Sequence, residues 1–295
     1  MTVQILSKQE RNEYETNRLV ESFAGKGIEA RAVHPDNFDL IVDHDLKQGI
    51  KYQAQEIEMP KMVLVRLGAG ILPFQLAVLR QFEQGGIPCV NPSESINIVR
   101  DKLRTSQILA QHNIPTPKTM MVRYPIDLGL VETHIGFPCV VKLVTGSYGE
   151  GVYLCERKRD YKKLMEFIDT LGANKKTMIV QEYLGERVGE DLRVLVIGGK
   201  VIGAMKRTAP EGDFRANITN GGSGERFEVT EEIEYIARET AKVLNLDIAG
   251  VDLLFDSRGF RVCEANSNPG FSGFEKYCGV DVADSITEYV KFKIQ

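Results

Sequence analysis

Three oxygen-bearing side chains near the end of the chain, Asp252, Glu264 and Asn266, lie where strand geometry can bring them together. They belong to two apolar runs, Gly250-Val251-Asp252-Leu253-Leu254-Phe255 and Arg261-Val262-Cys263-Glu264-Ala265-Asn266, joined by a turn at Ser257-Arg258-Gly259. Taking Asp256 opposite Phe260 at the turn puts Asp252 opposite Glu264. Directly opposed side chains of an antiparallel pair share a face about 5 Å apart, and Asn266 joins that face by the two-residue period of a strand. Two carboxylates so close repel each other, so a bound cation is their natural compensation. Hard oxygen donors suit Mg2+ or Mn2+, one ion or two. The plainer alternative is a solvated acidic edge, and the apolar neighbours Val251, Leu253 and Leu254 argue against it.

A glycine loop, Gly146-Ser147-Tyr148-Gly149-Glu150-Gly151, joins two strands. Glycines let backbone N–H groups close around phosphate oxygens without obstruction by Cβ; an ordinary hairpin tip has the same composition. Lys142, on the strand entering the loop, and Lys102, near the start of a preceding helix, could each set a positive charge against phosphates. Lys142 stands between Cys139-Val140-Val141 and Leu143-Val144, and a lysine on so apolar a strand needs a partner. The run Met178-Ile179-Val180-Gln181-Glu182-Tyr183-Leu184 passes from an apolar strand into a polar linker, which can offer backbone groups to an adenine edge; Asp191 could then accept a ribose hydroxyl. A basic set, Arg193, Lys206, Arg207 and Arg215 with Asn217 close by, could clamp a γ-phosphate and an incoming carboxylate in bidentate fashion, or could equally be a charged surface hairpin.

The elements that must position these groups alternate strand and helix over the first ninety or so residues: strands at 3–6, 29–33, 62–67 and 87–90, helices at 12–24 and 73–84. That order predicts a small parallel sheet covered by helices. Residues 34–60 carry no clear pattern. Asn91-Pro92 marks a boundary, and a single helix is expected from about Ser95 to Gln111. The middle section is β-rich, with one helix from about Asp160 to Leu171. Strands 192–197 and 200–205 form a hairpin over Gly198-Gly199. A final helix, Glu231 to Leu244, has Thr230 as its N-cap. The chain of 295 residues therefore divides into segments 1–92, 93–184 and 185–295.

Composition sets the outer bounds. Hydrophobic residues make up 43% and charged residues 26%, with a formal net charge of −4, which argues against a dedicated nucleic-acid binder. Five scattered cysteines without a C-x-x-C pair exclude a disulfide framework and a structural zinc site. The N-terminus is too short and polar for a signal peptide, and no apolar run approaches a membrane span. A cytoplasmic protein without membrane association is expected, with a homo-oligomer left open.

Together these segments resemble the ATP-grasp fold, and specifically its RimK-like branch of glutamate ligases. The resemblance rests on Arg100-Asp101-Lys102-Leu103-Arg104, Val141-Lys142-Leu143-Val144 with the glycine loop, Val180-Gln181-Glu182-Tyr183, Glu211-Gly212-Asp213-Phe214-Arg215-Ala216-Asn217, Ala249-Gly250-Val251-Asp252 and Glu264-Ala265-Asn266-Ser267-Asn268-Pro269-Gly270. It implies an α/β (α+β) fold in which a small parallel-sheet pre-ATP-grasp domain precedes two α+β subdomains that clamp ATP. It also implies roles. Lys102 and Lys142 would hold phosphates, with the backbone of Gly146, Ser147, Gly149 and Gly151 closing over them. Glu182, Tyr183 and Leu184 would line the adenine site, and Asp191 the ribose. Arg215, Ala216 and Asn217 would reach nucleotide phosphates or an acyl phosphate; Arg193, Arg207 and Arg215 would face an acidic substrate; Asp252, Glu264 and Asn266 would hold the metal. Lys142, Arg215 and Asn217 would carry the chemistry. The implied reaction joins an amino acid, first L-glutamate, to a carboxylate acceptor, first a protein or peptide C-terminus and then a small metabolite or coenzyme. A non-catalytic ATP-binding assembly protein is the alternative from another class, and amino-acid-dependent ADP release separates the two.

Overall fold

The structure, a computed structural model, describes all residues except 1, 9–12, 45–48, 69, 124–125, 144–150, 171–176, 217 and 219–220. Its first layer is a four-stranded parallel sheet in the spatial order Glu29–Val33, Thr2–Ser7, Met62–Arg66, Cys89–Val90. The strand Met62–Arg66 is buried at every position, as an apolar run covered on both faces must be. Helices Glu13–Gly25 and Pro73–Gln84 connect the strands. The expected parallel sheet is therefore present, with Thr2–Ser7 and Met62–Arg66 at its centre.

Two antiparallel sheets follow. The first runs Val152–Cys155, Cys139–Leu143, Thr177–Glu182, Thr119–Arg123; the second runs Ser223–Phe227, Lys200–Thr208, Glu190–Ile197, Ile248–Asp256, Gly259–Asn266. Helix Glu231–Val243 packs on the second sheet through Ile233, Ile236, Ala237 and Ala241. Its first turn carries Glu231, Glu232 and Glu234 beneath the Thr230 cap, as the positive end of a helix favours.

Several elements differ from the sequence reading. The segment expected as one helix from Ser95 is two, Ser93–Arg100 and Lys102–Gln111. Asp101 is the reason: its side chain accepts from Leu103 N and Arg104 N, both at 3.0 Å, and such local bonds compete with helix continuation. The break starts a new helix at Lys102. Helix Glu231–Val243 is not the last, since Ser272–Cys278 and Val282–Ile294 follow it. Residues 34–60 hold a short 3₁₀ turn at Pro35–Asn37 and a small sheet of Phe38–Leu40, Ile50–Tyr52 and Gln55–Glu56. Helix Leu128–His134 and the edge strand Ser223–Phe227 also carried too little pattern to be foreseen.

The largest core joins the two ends of the chain. Val3, Ile5, Leu19, Phe23, Met62 and Leu64 from the parallel layer pack with Leu195, Ile197, Ile248, Phe271, Phe274, Ile286 and Val290 from the last third. Two polar side chains stitch the same junction. Asn91, buried, donates through Nδ2 to Ile248 O (2.7 Å) and Ser267 O (2.6 Å) and accepts from Ile248 N (2.9 Å). Arg66 donates to Pro269 O at 3.0 Å and lies over the Phe271 ring. Burial pulls its pKa down to about 10, against the pull of Glu15, so it remains a cation at pH 7.

Candidate functional site

Asp252 faces Glu264 across the hairpin and Gly250 faces Asn266, as the sequence predicts, but the register reaches that pairing by another route. At the turn Asp256 pairs with Gly259, not with Phe260, so only Ser257 and Arg258 form the loop. A bulge then inserts Cys263 between Val262, opposite Leu253, and Glu264, opposite Asp252. Bulges re-aim side chains beside functional sites; without this one Asp252 would face Cys263. Close approach constrains the hairpin at Gly250, where a Cβ would lie 2.8 Å from that of Pro269.

The three metal candidates share this face. Asp252 is 7% exposed. Its carboxylate accepts from Arg193 through Nε and, at 2.8 Å, through Nη2; Arg207 Nη2 lies at 3.0 Å and Asn266 Nδ2 at 3.4 Å. Burial alone would raise its pKa, but Arg193 and Arg207 more than offset this and hold it below the ordinary carboxylate value. Glu264 accepts from Lys102 Nζ at 2.7 Å, and its side chain is 38% exposed. Its surroundings push its carboxyl up, while Lys102 brings it back below the ordinary value. Among the described residues no group of three His, Cys, Asp or Glu side chains is assembled for a metal; the set here is two carboxylates and an amide. Those are hard oxygen donors of the kind Mg2+ takes alongside water and phosphate.

Arg207 also grips Asp191, at 2.7 and 2.6 Å, so Asp191, Arg207, Asp252 and Arg193 form one continuous chain of alternating charge. Burial raises Asp191 to about 6, with the Asp252 anion pushing the same way and Arg207 and Arg193 pulling back only in part. The ribose candidate and two of the substrate-facing arginines are thus committed to one another. Arg215 pairs with Asp213 (Nη2–Oδ2 2.8 Å) on the 209–216 loop, which Ala216 closes half-buried. Asn217, and Gly146, Ser147 and Gly149 of the glycine loop, lie outside the described residues; Gly151 enters the Val152–Cys155 strand with φ +69°.

Both lysines reach the Gly259–Asn266 strand, Lys102 at Glu264 and Lys142 at Cys263. Lys102 occupies the first turn of its helix, below the Asp101 cap. Replacing Asp101 by alanine is expected to cost about 1 kcal/mol and to loosen Lys102 from Glu264, read as a lower melting temperature. Lys142, half-buried, donates to Gln181 Oε1 at 2.7 Å and lies 3.9 Å from Cys263 Sγ, so it spans from the first antiparallel sheet to the bulge of the second. Glu182 accepts from Lys118 N (3.1 Å) and Arg261 Nη1 (3.4 Å), while Tyr183 sets its ring edge-on to Phe214 with centroids 6.4 Å apart. Leu184 follows, half-buried.

Four site residues received no role from sequence. Gln181 and Cys263 are the neighbours of Lys142. Arg261 ties Asp256 (2.6 Å) to Glu182 and to Thr116 O (3.4 Å). Asn91 anchors the base of the hairpin. For Gln181 and Arg261 the signal was present in the alternation of their strands; for Asn91 nothing local distinguishes it from a turn asparagine.

Residues 99–290 match the family described as RimK-like ATP-grasp domain, and residues 1–96 the RimK PreATP-grasp domain. Among curated relatives, a probable alpha-L-glutamate ligase of Maridesulfovibrio salexigens is 39% identical over 299 residues, covering 100% of this chain and 97% of that protein. One of Aeromonas salmonicida is 39% identical over 296 residues, covering 99% and 97%. Of solved structures, the ATP-grasp ligase PsnB, complexed with a phosphomimetic variant of its minimal precursor, Mg and ADP, superposes with a TM-score of 0.77 at 21% identity, covering 100% of this chain and 98% of that one. D-alanine–D-alanine ligase from Bacillus anthracis, complexed with ATP, gives 0.69 at 19%, covering 98% and 96%.

Proposed function

This chain is a member of the RimK-like ATP-grasp family, and from that premise we propose that it uses ATP to add L-glutamate to a carboxylate at the C-terminus of a protein or peptide. The observation that carries the reading is the meeting of Lys102 and Lys142 at the Asp252–Glu264–Asn266 face, where anionic oxygens and cations are arranged for a metal-bound polyphosphate. The relatives named as probable alpha-L-glutamate ligases support the choice of amine.

In this reading Asp252, Glu264 and Asn266 hold Mg2+, with Mn2+ as a substitute; the metal supplies positive charge that neutralises the phosphates. Lys102 and Lys142 bind phosphate oxygens, and Gly146, Ser147, Gly149 and Gly151 close over them. Glu182, Tyr183 and Leu184 line the adenine, and Asp191 reaches the ribose. Arg215, Ala216 and Asn217 steady the transferred group. An acceptor carboxylate oxygen attacks the γ-phosphorus, ADP leaves, the amine of glutamate attacks the acyl carbon and phosphate departs. Preorganised positive charge is the main source of acceleration in such transfers, and exclusion of water protects the acyl phosphate. A cation held by Asp252 would supply it with positive charge in place of part of that of Arg193 and Arg207, and these two arginines would then be free to face a substrate carboxylate. The proposed setting is the cytoplasm: all five cysteines are free thiols, and among the described residues no helix is long and apolar enough to cross a membrane.

The test offers ATP, Mg2+ and L-glutamate with two acceptors, a peptide ending in glutamate and a small N-acylated amino acid, and follows phosphate release and product mass. Glutamate-dependent phosphate release with one glutamyl residue added to the peptide is expected. Addition to the small acceptor alone moves the reading to metabolite ligation, and ATP binding without any amine-dependent ADP release sinks it.

A further inference from the structure

Lys142 and Lys102 are held in opposite ways. Lys102 rests on a full anion, Glu264. The partners of Lys142 are the uncharged amide oxygen of Gln181, at 2.7 Å, and the sulfur of Cys263, at 3.9 Å. The amide of Gln181 is itself fixed. Its Nε2 donates to Thr119 Oγ1 at 2.9 Å, and Thr119 Oγ1 donates to Pro117 O at 2.9 Å. A hydroxyl that has spent its proton on a carbonyl can only accept from Gln181, so the amide must turn its NH2 to Thr119 and its oxygen to Lys142. The register makes the row possible: Thr119 lies directly opposite Gln181, while Lys142 lies opposite Ile179, two residues along on the same face. Gln181 is buried, so the row is protected from competing water.

We propose that Gln181 is a positioning residue that aims the Lys142 ammonium toward the bulge at Cys263, beside the oxygen face, without neutralising it, leaving its charge for a nucleotide phosphate. A carboxylate in the same place would hold the lysine as firmly but would compete with phosphate for its charge. The direction of the relay, from the backbone at Pro117 through Thr119 and Gln181, makes the 114–118 connector the reference point for the lysine. This inference rests on the reading of Lys142 as a phosphate ligand.

The experiment compares the parent with Gln181→Glu and Gln181→Met. Binding of ADP with Mg2+ is titrated directly, kcat and KM for ATP are measured with any acceptor that turns over, and thermal melts are recorded. Gln181→Glu is expected to melt within a few degrees of the parent and to bind ADP about tenfold more weakly, with KM for ATP raised in step, the scale of one charge-assisted contact. Gln181→Met, which leaves the charge but not its aim, is expected to keep ADP affinity within about threefold while kcat falls. A purely structural glutamine gives a different pattern: Gln181→Met loses stability and Gln181→Glu binds ADP as the parent does, which overturns the proposal while leaving the nucleotide site intact. A parent chain that binds no ADP removes the phosphate reading of Lys142 and the proposal with it.

Discussion

Replacing Glu264 by alanine abolishes ATP-dependent ligation while leaving a folded protein. Glu264 is the anion that Lys102 rests on and the strand partner of Asp252, so its loss empties one corner of the oxygen face and frees a lysine. Removing one preorganised electrostatic group from such a site costs about a thousandfold in turnover. Stability changes little, because the side chain is 38% exposed and a partly solvated ion pair contributes at most about 1 kcal/mol. Phosphate release with ATP, Mg2+ and glutamate is the measurement, beside a thermal melt. Turnover within a few-fold of the parent would mean that this face holds no metal.

Asp252→Ala fails differently. Asp252 is the anion between two guanidiniums, and it is nearly inaccessible. Truncating it leaves Arg193 with no partner on its strand neighbour and Arg207 with Asp191 alone. Breaking a buried pair by removing one member costs about 3–5 kcal/mol, because the surviving charge stays in a poorly solvated place. Activity and stability therefore fall together, with the denaturation midpoint well below that of Glu264→Ala. If the two variants unfold at the same denaturant concentration, the alternating chain from Asp191 to Arg193 does not hold the sheet.

The contrast shows what could be read from residue order. The opposition of Asp252 and Glu264 followed from strand period, because two short antiparallel runs about one turn leave few registers. The bulge at Cys263 did not follow: one extra residue in one strand depends on how the sheet bends, and the assumed turn was one residue too long. The two errors cancelled. Arg193 projects to one face by the alternation of its strand, but its capture by Asp252 depends on a strand from a distant part of the chain; Arg207 meets Asp191 within one hairpin, whose second strand runs past the expected residue 205 to Thr208. Asp101 could have been foreseen as a cap, since an aspartate before a helical run is a strong stop-and-start signal. Its neighbours continue a helical pattern on both sides and concealed the break. Cys139 lies directly opposite Cys155 across a strand pair, and their separation in sequence hides that neighbourhood as well.

The contacts of Asn91 and Arg66 bear on how such a chain can be recombined with its relatives. A crossover near residue 92 looks harmless on a linear map, yet it would separate Asn91 from Ile248 and Ser267 and Arg66 from Pro269. It would also split one apolar core between two parents. Positions 66, 91, 248, 267 and 269 form an exchange unit that is discontinuous in sequence. Hybrids that transplant the first layer to alter substrate preference must carry its matching contacts at the base of the hairpin, or they will disturb the oxygen face from behind without changing any of its side chains.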